Sequence, residues 1–294
     1  MNKENIYILE DRGIIYISGA DTFDYLQNII SNDLDKVTDV QSCFSYLLTP
    51  QGKYLFEFII VKHKSGYFLD CPKYQIENLY KQLTLYKLRS KVEITNLSNE
   101  FVVAALSKDK FSEFKKNNNK TGMTIKFRED PVILDPRCID LGVRILINLE
   151  KLYLSAKKLN LKISNVNEYY QLSHQLGIPN SATENFQNKI FGLETNSEEL
   201  NAIDFKKGCY VGQENTARMK LKEKISRRIY PVELIEGNID IDEVIRINNT
   251  EIGKIVNNSK FPFGLFKFKD PNFKLEKILN TNKGKIKIKK PFWS

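Results

Sequence analysis

The residues with the clearest chemical potential lie in one segment, Lys207-Gly208-Cys209-Tyr210-Val211-Gly212-Gln213-Glu214. Its cysteine stands between two glycines, after two lysines and before a stretch that is compatible with a helix. Nearby positive charge and a helix N-terminus both favour the thiolate, which attacks electrophiles and binds soft metals. The alternative is a small buried cysteine in a glycine turn, which is what most free cysteines are. These residues alone leave both interpretations open.

The segment 207–214 resembles the signature Lys-Gly-Cys-Tyr-x-Gly-Gln-Glu of the YgfZ-type folate-binding proteins, and every fixed position matches. That family supports iron–sulfur cluster assembly or repair, has mitochondrial relatives and shares its fold with the glycine-cleavage T-protein, an aminomethyltransferase. Four further stretches also resemble the family, at residues 19–33, 88–92, 135–137 and 141–144. The resemblance therefore spans most of the chain, although its specificity is concentrated in the cysteine segment.

The resemblance implies a factor that binds tetrahydrofolate or another reduced folate and supports the assembly or repair of iron–sulfur proteins. Cys209 is then the functional thiolate and a transient ligand of a cluster. Because a cluster typically takes four thiolates, an iron–sulfur carrier or client protein has to supply the others. No preformed metal site is expected, because the cysteines lack CxxC spacing and lie far from both histidines; they are Cys43, Cys71, Cys138 and Cys209.

Roles for the other motif residues follow from this reading. Lys207 is expected to favour the thiolate, and Tyr210 completes the motif. Gly208 and Gly212 are expected to shape a turn, with conformations or close approaches that a Cβ would obstruct. The last two positions, Gln213 and Glu214, are expected to orient the loop.

Two glutamates are the candidate folate ligands. Glu57 lies in a predicted strand where the T-protein carries an aspartate beside the folate, so its longer side chain is a departure that weakens any transfer of catalytic role. Glu194 matches an acidic position of the family, and a carboxylate suits the N–H donors of a pterin. The alternatives are a solvent-facing strand residue for Glu57 and a surface residue before a turn for Glu194.

Two arginines, Arg137 and Arg144, can either clamp a carboxylate or brace the lobes through bidentate pairs. The turn formed by Asp135 and Pro136 favours bracing for Arg137.

There are two alternatives to a role as a maturation factor. The resemblance favours a maturation factor over a classical enzyme. A folate-dependent aminomethyltransferase or demethylase shares the fold, but it needs a catalytic acid at the folate and does not need the cysteine signature. A scaffold with an inert, buried Cys209 needs neither.

The strands and helices predicted around these residues indicate an α+β fold. Apolar periodicity predicts strands near the N-terminus and at residues 54–61, and a helix with Asp21 as its N-cap. The polar, helix-compatible stretch after Gly212 predicts a second helix from Gln213. After Lys224, short β-like runs separated by turns predict a small antiparallel barrel. The resemblance implies a T-protein-like arrangement of mixed α/β lobes around a central folate cleft. The predicted domains are a folate-binding region at 1–222, of two interleaved lobes with an internal boundary near 95–145, and a C-terminal β-barrel at 223–294.

The charge and composition of the chain limit the classes of partner and the location that can be expected. The 294 residues carry a net charge of +9, which is a weak indicator of nucleic acid because no aromatic-interleaved basic patch accompanies it. The lysine–isoleucine alternation at 283–290 predicts a strand with one wet face. No apolar run approaches the roughly 20 residues that cross a bilayer, so no membrane partner is expected. The N-terminal residues lack signal-peptide and transit-peptide features, which favours a cytoplasmic location. His63 is expected to lie in a solvated turn.

Overall fold

The computed structural model describes residues 1–114 and 119–294, without the side chain of Phe114. In this part of the chain the helices are α1 (Thr22–Ile29), α2 (Ile76–Lys87), α3 (Lys108–Phe114), α4 (Leu149–Lys158), α5 (Asn167–Gln175) and α6 (Gln213–Leu221). The first strands are β1 (Asn5–Leu9), β2 (Arg12–Ser18), β3 (Cys43–Leu48), β4 (Tyr54–His63), β5 (Gly66–Pro72), β6 (Glu93–Asn96), β7 (Phe101–Leu106), β8 (Thr124–Phe127), β9 (Asp130–Leu134), β10 (Val143–Asn148) and β11 (Lys162–Ile163). The last strands are β12 (Arg228–Gly237), β13 (Val244–Ile247), β14 (Thr250–Asn257), β15 (Phe263–Phe266), β16 (Ile278–Asn280) and β17 (Gly284–Ile288).

The chain divides into two compact units. The first unit consists of residues 1–48, 56–169 and 200–211, and the second of residues 49–55, 170–199 and 212–294. Both units are therefore discontinuous in sequence, whereas the predicted division at residues 222 and 223 is a single cut. That predicted division stays a prediction.

A mixed sheet of the first unit has the strand order β11-β1-β7-β10-β9-β8. Its central strands are apolar on both faces, and β7 pairs with β1 and β10 in antiparallel register. Buried side chains of α3 and α4, among them Phe111 and Leu152, join the same core as Leu106 and Ile145 of these strands. Packing of the sheet against α3 and α4 fixes the position of β10, which carries Arg144.

An antiparallel sheet of the first unit has the order β3-β4-β5-β2-β6. Ile14 pairs with Asp70, and Asp70 pairs with Ile59. Residues that face each other across a ladder share one face of the sheet, and residues two apart in a strand share it too. Glu57 therefore lies on the same face as Asp70. That face meets the mixed sheet, because the Phe68 and Phe101 rings lie 5.0 Å apart.

His63 ends β4 as a buried residue, with 8% of its surface exposed. Its ring stacks on Phe68 with the centroids 4.2 Å apart. The expectation of a solvated turn was wrong, because the strand extends two residues further than its apolar run and carries the imidazole into the interface between the sheets.

The second unit contains the antiparallel sheet β13-β14-β15-β12-β17-β16, which curls into a nearly closed barrel. The alternating strand at the end of the chain is confirmed: Ile286 and Ile288 are fully buried in the barrel core. Lys285 and Lys287 alternate with them on the opposite face, where Lys285 pairs with Glu236 at 2.7 Å. The predicted α+β class with a C-terminal antiparallel barrel is thus confirmed.

In the part of the chain that the structure describes, every helix is too short or too polar to cross a membrane.

Candidate functional site

The cysteine segment presents its thiol between two buried anchors. Lys207 and Tyr210 each keep only 8% of their surface exposed. Gly208 and Cys209 between them are exposed. The interpretation of Cys209 as a buried residue in a glycine turn was therefore wrong. The buried side chains of Lys207 and Tyr210 thus fix both ends of a short exposed segment, in which the Cys209 sulfur is accessible.

Lys207 is fixed by the end of helix α1. Its Nζ donates to the carbonyl oxygens of Gln27 at 2.7 Å, Ile30 at 2.8 Å and Asn32 at 2.9 Å. The last carbonyls of a helix have no partner within the helix, and a cation stabilises that end. Burial lowers the pKa of Lys207 to about 8, which still leaves the ammonium as the main form at pH 7. This anchoring was not predicted from sequence, and the expected support of the Cys209 thiolate by Lys207 stays a prediction.

Two more contacts hold the segment. The Nζ of Lys207 lies 5.1 Å from the centre of the Tyr210 ring, within range of a cation–π interaction. The Val211 amide donates to the Asn28 carbonyl at 3.2 Å. Tyr210 is therefore a packing partner of the lysine, a role that the motif match did not reveal.

The two motif glycines differ. Gly212 has φ 86° and ψ 1°, a left-handed conformation, and is the N-cap of α6. That agrees with the expected need for glycine at the turn. Gly208 has no such need: its φ is not left-handed, and an added Cβ would meet no atom within 4 Å. The expectation that a Cβ would be obstructed at Gly208 was wrong, because this residue lies at an open surface.

Helix α6 begins at Gln213, as predicted from the sequence. The Glu214 carboxylate accepts from Arg218 one turn later at 2.7 Å, and both side chains are exposed. The role of Gln213 and Glu214 in orienting the loop stays a prediction.

Cys209 differs from the other thiols in its surroundings. Cys43, Cys71 and Cys138 are buried, and all four cysteines are free. Burial raises the pKa of Cys43 and of Cys71 to about 12, and it also raises the pKa of Cys138. Among the residues that the structure describes, no group of three or more His, Cys, Asp or Glu could hold a metal ion. A thiolate at Cys209 would therefore need a partner to complete a set of metal ligands.

Glu57 lies inside the first unit with 3% of its surface exposed. The alternative of a solvent-facing glutamate was wrong, because both faces of β4 are covered. Its Oε1 has no hydrogen-bond partner among the described residues. Burial raises the pKa of Glu57, and the nearby Arg12, Arg137 and Arg144 oppose that rise.

A buried chain of charges runs beside Glu57. Asp70 accepts from Arg12 at 2.6 Å and from Arg144 at 2.6 Å, and Arg144 also donates to Asp135 at 3.0 Å. Asp135 in turn binds Arg137 at 2.8 Å. Since Asp70 belongs to the antiparallel sheet and Arg144 to the mixed sheet, this ionic chain ties the two sheets together.

The arginines of the ionic chain therefore brace the fold. This is the predicted role of Arg137, and the structure gives it to Arg144 as well. Burial would raise the pKa of Asp135, but Arg137 and Arg144 outweigh it and lower that pKa to about 2. Sequence reasoning missed Arg12 and Asp70, since nothing in their local sequence marks them as partners across 58 residues.

Glu194 lies in the second unit with 4% of its surface exposed. The alternative of a surface glutamate was wrong, because its short 3₁₀ turn packs it inside. Its Oε2 accepts from the Phe191 amide at 3.0 Å, and its Oε1 accepts from Arg227 at 2.8 Å. Both oxygens thus have protein partners. A pterin would have to replace one of these contacts to be read by Glu194.

Comparison with known proteins gives the context of this arrangement. No family model matches the chain. The mitochondrial iron–sulfur cluster assembly factor IBA57 homolog of Dictyostelium discoideum is 28% identical over 274 residues. The corresponding protein of Mycosarcoma maydis is 30% identical over 238 residues, and human IBA57 is 26% identical over 242 residues. The chain is similar in sequence to the IBA57 iron–sulfur cluster assembly factors. The relationship that the cysteine segment predicted is confirmed.

The alignments cover 83%, 75% and 78% of this chain and 67%, 55% and 66% of those three relatives. Among solved structures, the glycine cleavage system aminomethyltransferase T of Bartonella henselae matches with a TM-score of 0.73 at 13% identity. That match covers 97% of this chain and 85% of the other. The predicted T-protein-like fold is confirmed. At this identity the likeness shows the fold alone, so it gives no separate support to aminomethyl transfer.

The predicted cytoplasmic location was wrong. The relatives of this chain are named as mitochondrial proteins, which points to mitochondria. The prediction relied on the composition of a few N-terminal residues, and an organelle address is read by receptors rather than fixed by the fold.

Proposed function

We propose that this chain is an iron–sulfur cluster assembly factor in which Cys209 supplies one thiolate to a cluster carried by a partner protein. The observation that carries the proposal is that Cys209 is exposed while the other three cysteines are buried. The accessible thiol is also the one in the segment 207–214. The homology to IBA57 proteins, whose names state a role in cluster assembly, supports the same conclusion.

The chemistry of this step is ligand exchange at iron. The Cys209 thiol loses its proton to solvent, and a sulfur–iron bond replaces one bond between iron and a ligand of the carrier. A cluster typically takes four thiolates, so the iron–sulfur carrier or client protein keeps the others. Lys207 holds the segment still, and the open space beside Gly208 leaves the sulfur approachable.

Anaerobic mixing with a cluster-loaded carrier protein tests the proposal. The wild-type chain should form a complex in which the absorption and circular dichroism of the cluster change at one equivalent. Cys209→Ser should leave the spectrum of the carrier unchanged. Lys206→Ala, an exposed change three residues before the cysteine, should behave as wild type. An unaltered spectral change with Cys209→Ser would remove the thiolate from the mechanism.

We further propose that the chain binds tetrahydrofolate or a related reduced folate. The resemblance of the segment 207–214 to folate-binding proteins supports this. Glu57 is the better placed of the two candidate ligands, because its Oε1 has no partner among the described residues and can accept from a folate N–H without breaking a protein contact. Glu194 would first have to release Arg227 or the Phe191 amide.

Calorimetric titration with tetrahydrofolate under argon tests this second proposal. Glu57→Gln should weaken binding more than Glu194→Gln, and Glu77→Gln on the exposed face of α2 serves as the control. The absence of heat at high micromolar folate, with a folded protein, would contradict it.

A further inference from the structure

The first unit has a pocket of about 320 Å³ that the cysteine segment does not line. Neither Glu57 nor Glu194 lines it. Its polar lining includes Arg12, Lys73 and Glu10, and its apolar lining includes Phe101, Val102 and Leu149. The pocket thus combines a buried cation with an apolar wall and is distinct from the residues proposed for cluster or folate binding.

Arg12 is the unusual residue of this pocket. It has 4% of its surface exposed. Its Nε donates to the Asp70 carboxylate at 2.6 Å, and its Nη2 donates to the Asp70 carbonyl at 2.7 Å. Its Nη1 is buried without an acceptor in the part of the chain that the structure describes. A buried donor without a partner is destabilising, so an acceptor supplied by a ligand would be stabilising.

The charge around Arg12 favours an anionic acceptor. The ionic chain contains three guanidinium groups, from Arg12, Arg137 and Arg144, and two carboxylates, from Asp70 and Asp135. One positive charge is therefore in excess within it. Burial raises the pKa of the neighbouring Glu57, and the three arginines oppose that rise. A buried charge prefers a partner of opposite sign over water at the rim.

The rest of the pocket wall is apolar and favours a ligand with an apolar part. Phe101 and Val102 come from β7, and Leu149 and Leu152 from α4. Leu149 is 48% exposed, so the wall opens towards solvent and admits a ligand without unfolding of the core. Lys73 and Glu10 are exposed and of opposite sign, so they add no net charge to the pocket.

We propose that this pocket binds a small monocarboxylic acid, with the carboxylate accepting from Arg12 and the apolar body packed against Phe101, Val102 and Leu149. The affinity should rise with the length of the apolar chain, because each further CH₂ that leaves water is stabilising; an acid of eight carbons is therefore a suitable probe for a pocket of about 320 Å³.

Octanoate is the probe, and 1-octanol is its uncharged match. Calorimetric titration of the full chain should show octanoate binding about tenfold or more tighter than octanol, because the alcohol offers the Arg12 guanidinium an uncharged acceptor in place of a carboxylate. Leu149→Glu places a negative charge at the pocket and should weaken octanoate binding by about tenfold or more. Leu85→Glu, an exposed change on α2, is the matched control and should leave the affinity unchanged.

Four results would overturn the proposal: equal affinities for octanoate and octanol, no heat with octanoate at millimolar concentration, unaltered binding in Leu149→Glu, or displacement of octanoate by tetrahydrofolate. The last result would make this pocket the folate site. Additive heats from the two ligands would support separate sites. Arg12→Met is a less decisive variant because Arg12 also holds Asp70. Leu149→Glu therefore decides the outcome, provided that its unfolding transition matches that of Leu85→Glu.

Discussion

The burial pattern predicts that a single thiol of the native protein reacts with 5,5′-dithiobis(2-nitrobenzoate). The four cysteines are free, and Cys209 is the exposed one. Cys43 and Cys71 have pKa values of about 12 because they are buried. At pH 8 such a thiol is ionised in about one molecule in 10⁴, and the thiolate is the reacting form.

Burial adds a second barrier. Cys43 and Cys138 have 5% of their surface exposed, and Cys71 has none. A reagent reaches such sulfurs only when the surrounding strands open, and opening of core elements approaches the global unfolding free energy of about 5–15 kcal/mol. The buried thiols should therefore react at least about 10⁴ times more slowly than an exposed one.

The assay is the release of nitrothiobenzoate at pH 8, followed with and without denaturant. One equivalent should be released rapidly from the native chain, and four in denaturant, the number of cysteines in the sequence. Cys209→Ser should lose the rapid phase, and Cys138→Ser should keep it. More than one rapid equivalent, or a rapid phase that survives in Cys209→Ser, would show that Cys209 is not the single accessible thiol of the native protein.

Three further predictions concern stability. Lys207→Met removes three hydrogen bonds, two of them buried, and should lower the free energy of unfolding in urea by about 2–4 kcal/mol, whereas the exposed neighbour Lys206→Met should change it by less than about 0.5 kcal/mol. Equal effects would show that the carbonyl contacts are not formed. Arg144→Met removes the buried hydrogen bonds from Arg144 to Asp70, Asp135 and Tyr169, although Arg12 and Arg137 still pair with the two aspartates. It should cost about 3–5 kcal/mol, against less than about 1 kcal/mol for the exposed Arg218→Met. Burial lowers the pKa of His63 to about 4 from 6.5, so the unfolded state binds a proton first as the pH falls. Stability present above pH 6.5 should decline by up to about 3 kcal/mol towards pH 4, and His63→Phe should abolish that part of the pH dependence.

Local sequence patterns were sufficient for several elements of the fold. The start of α6 followed from a glycine and a polar stretch, and the structure places it at Gln213. The alternation of lysine and isoleucine in β17 matched the period of a strand, so the burial of Ile286 could be predicted. Both signals depend only on neighbours in sequence, which is why they were reliable.

Signals that depend on distant partners were missed. The side chain of Asp21, at the predicted N-cap of α1, makes no cap bond and instead accepts from the Lys91 amide at 2.7 Å. The alternation of β4 was consistent with a wet face, but a second sheet covers that face and buries Glu57. Lys207 was assigned to the thiol, whereas its carbonyl partners lie about 180 residues earlier. Neither the covering sheet nor these carbonyls can be identified from a local pattern.

We expect the Cys209 sulfur to be needed for iron–sulfur protein maturation in cells. The most direct measurement uses cells that lack their own homologue and express this chain in mitochondria, with the activity of an iron–sulfur enzyme measured in extracts. The wild-type chain should restore that activity, and Cys209→Ser, present at the same level, should not. Equal restoration by both would contradict the claim.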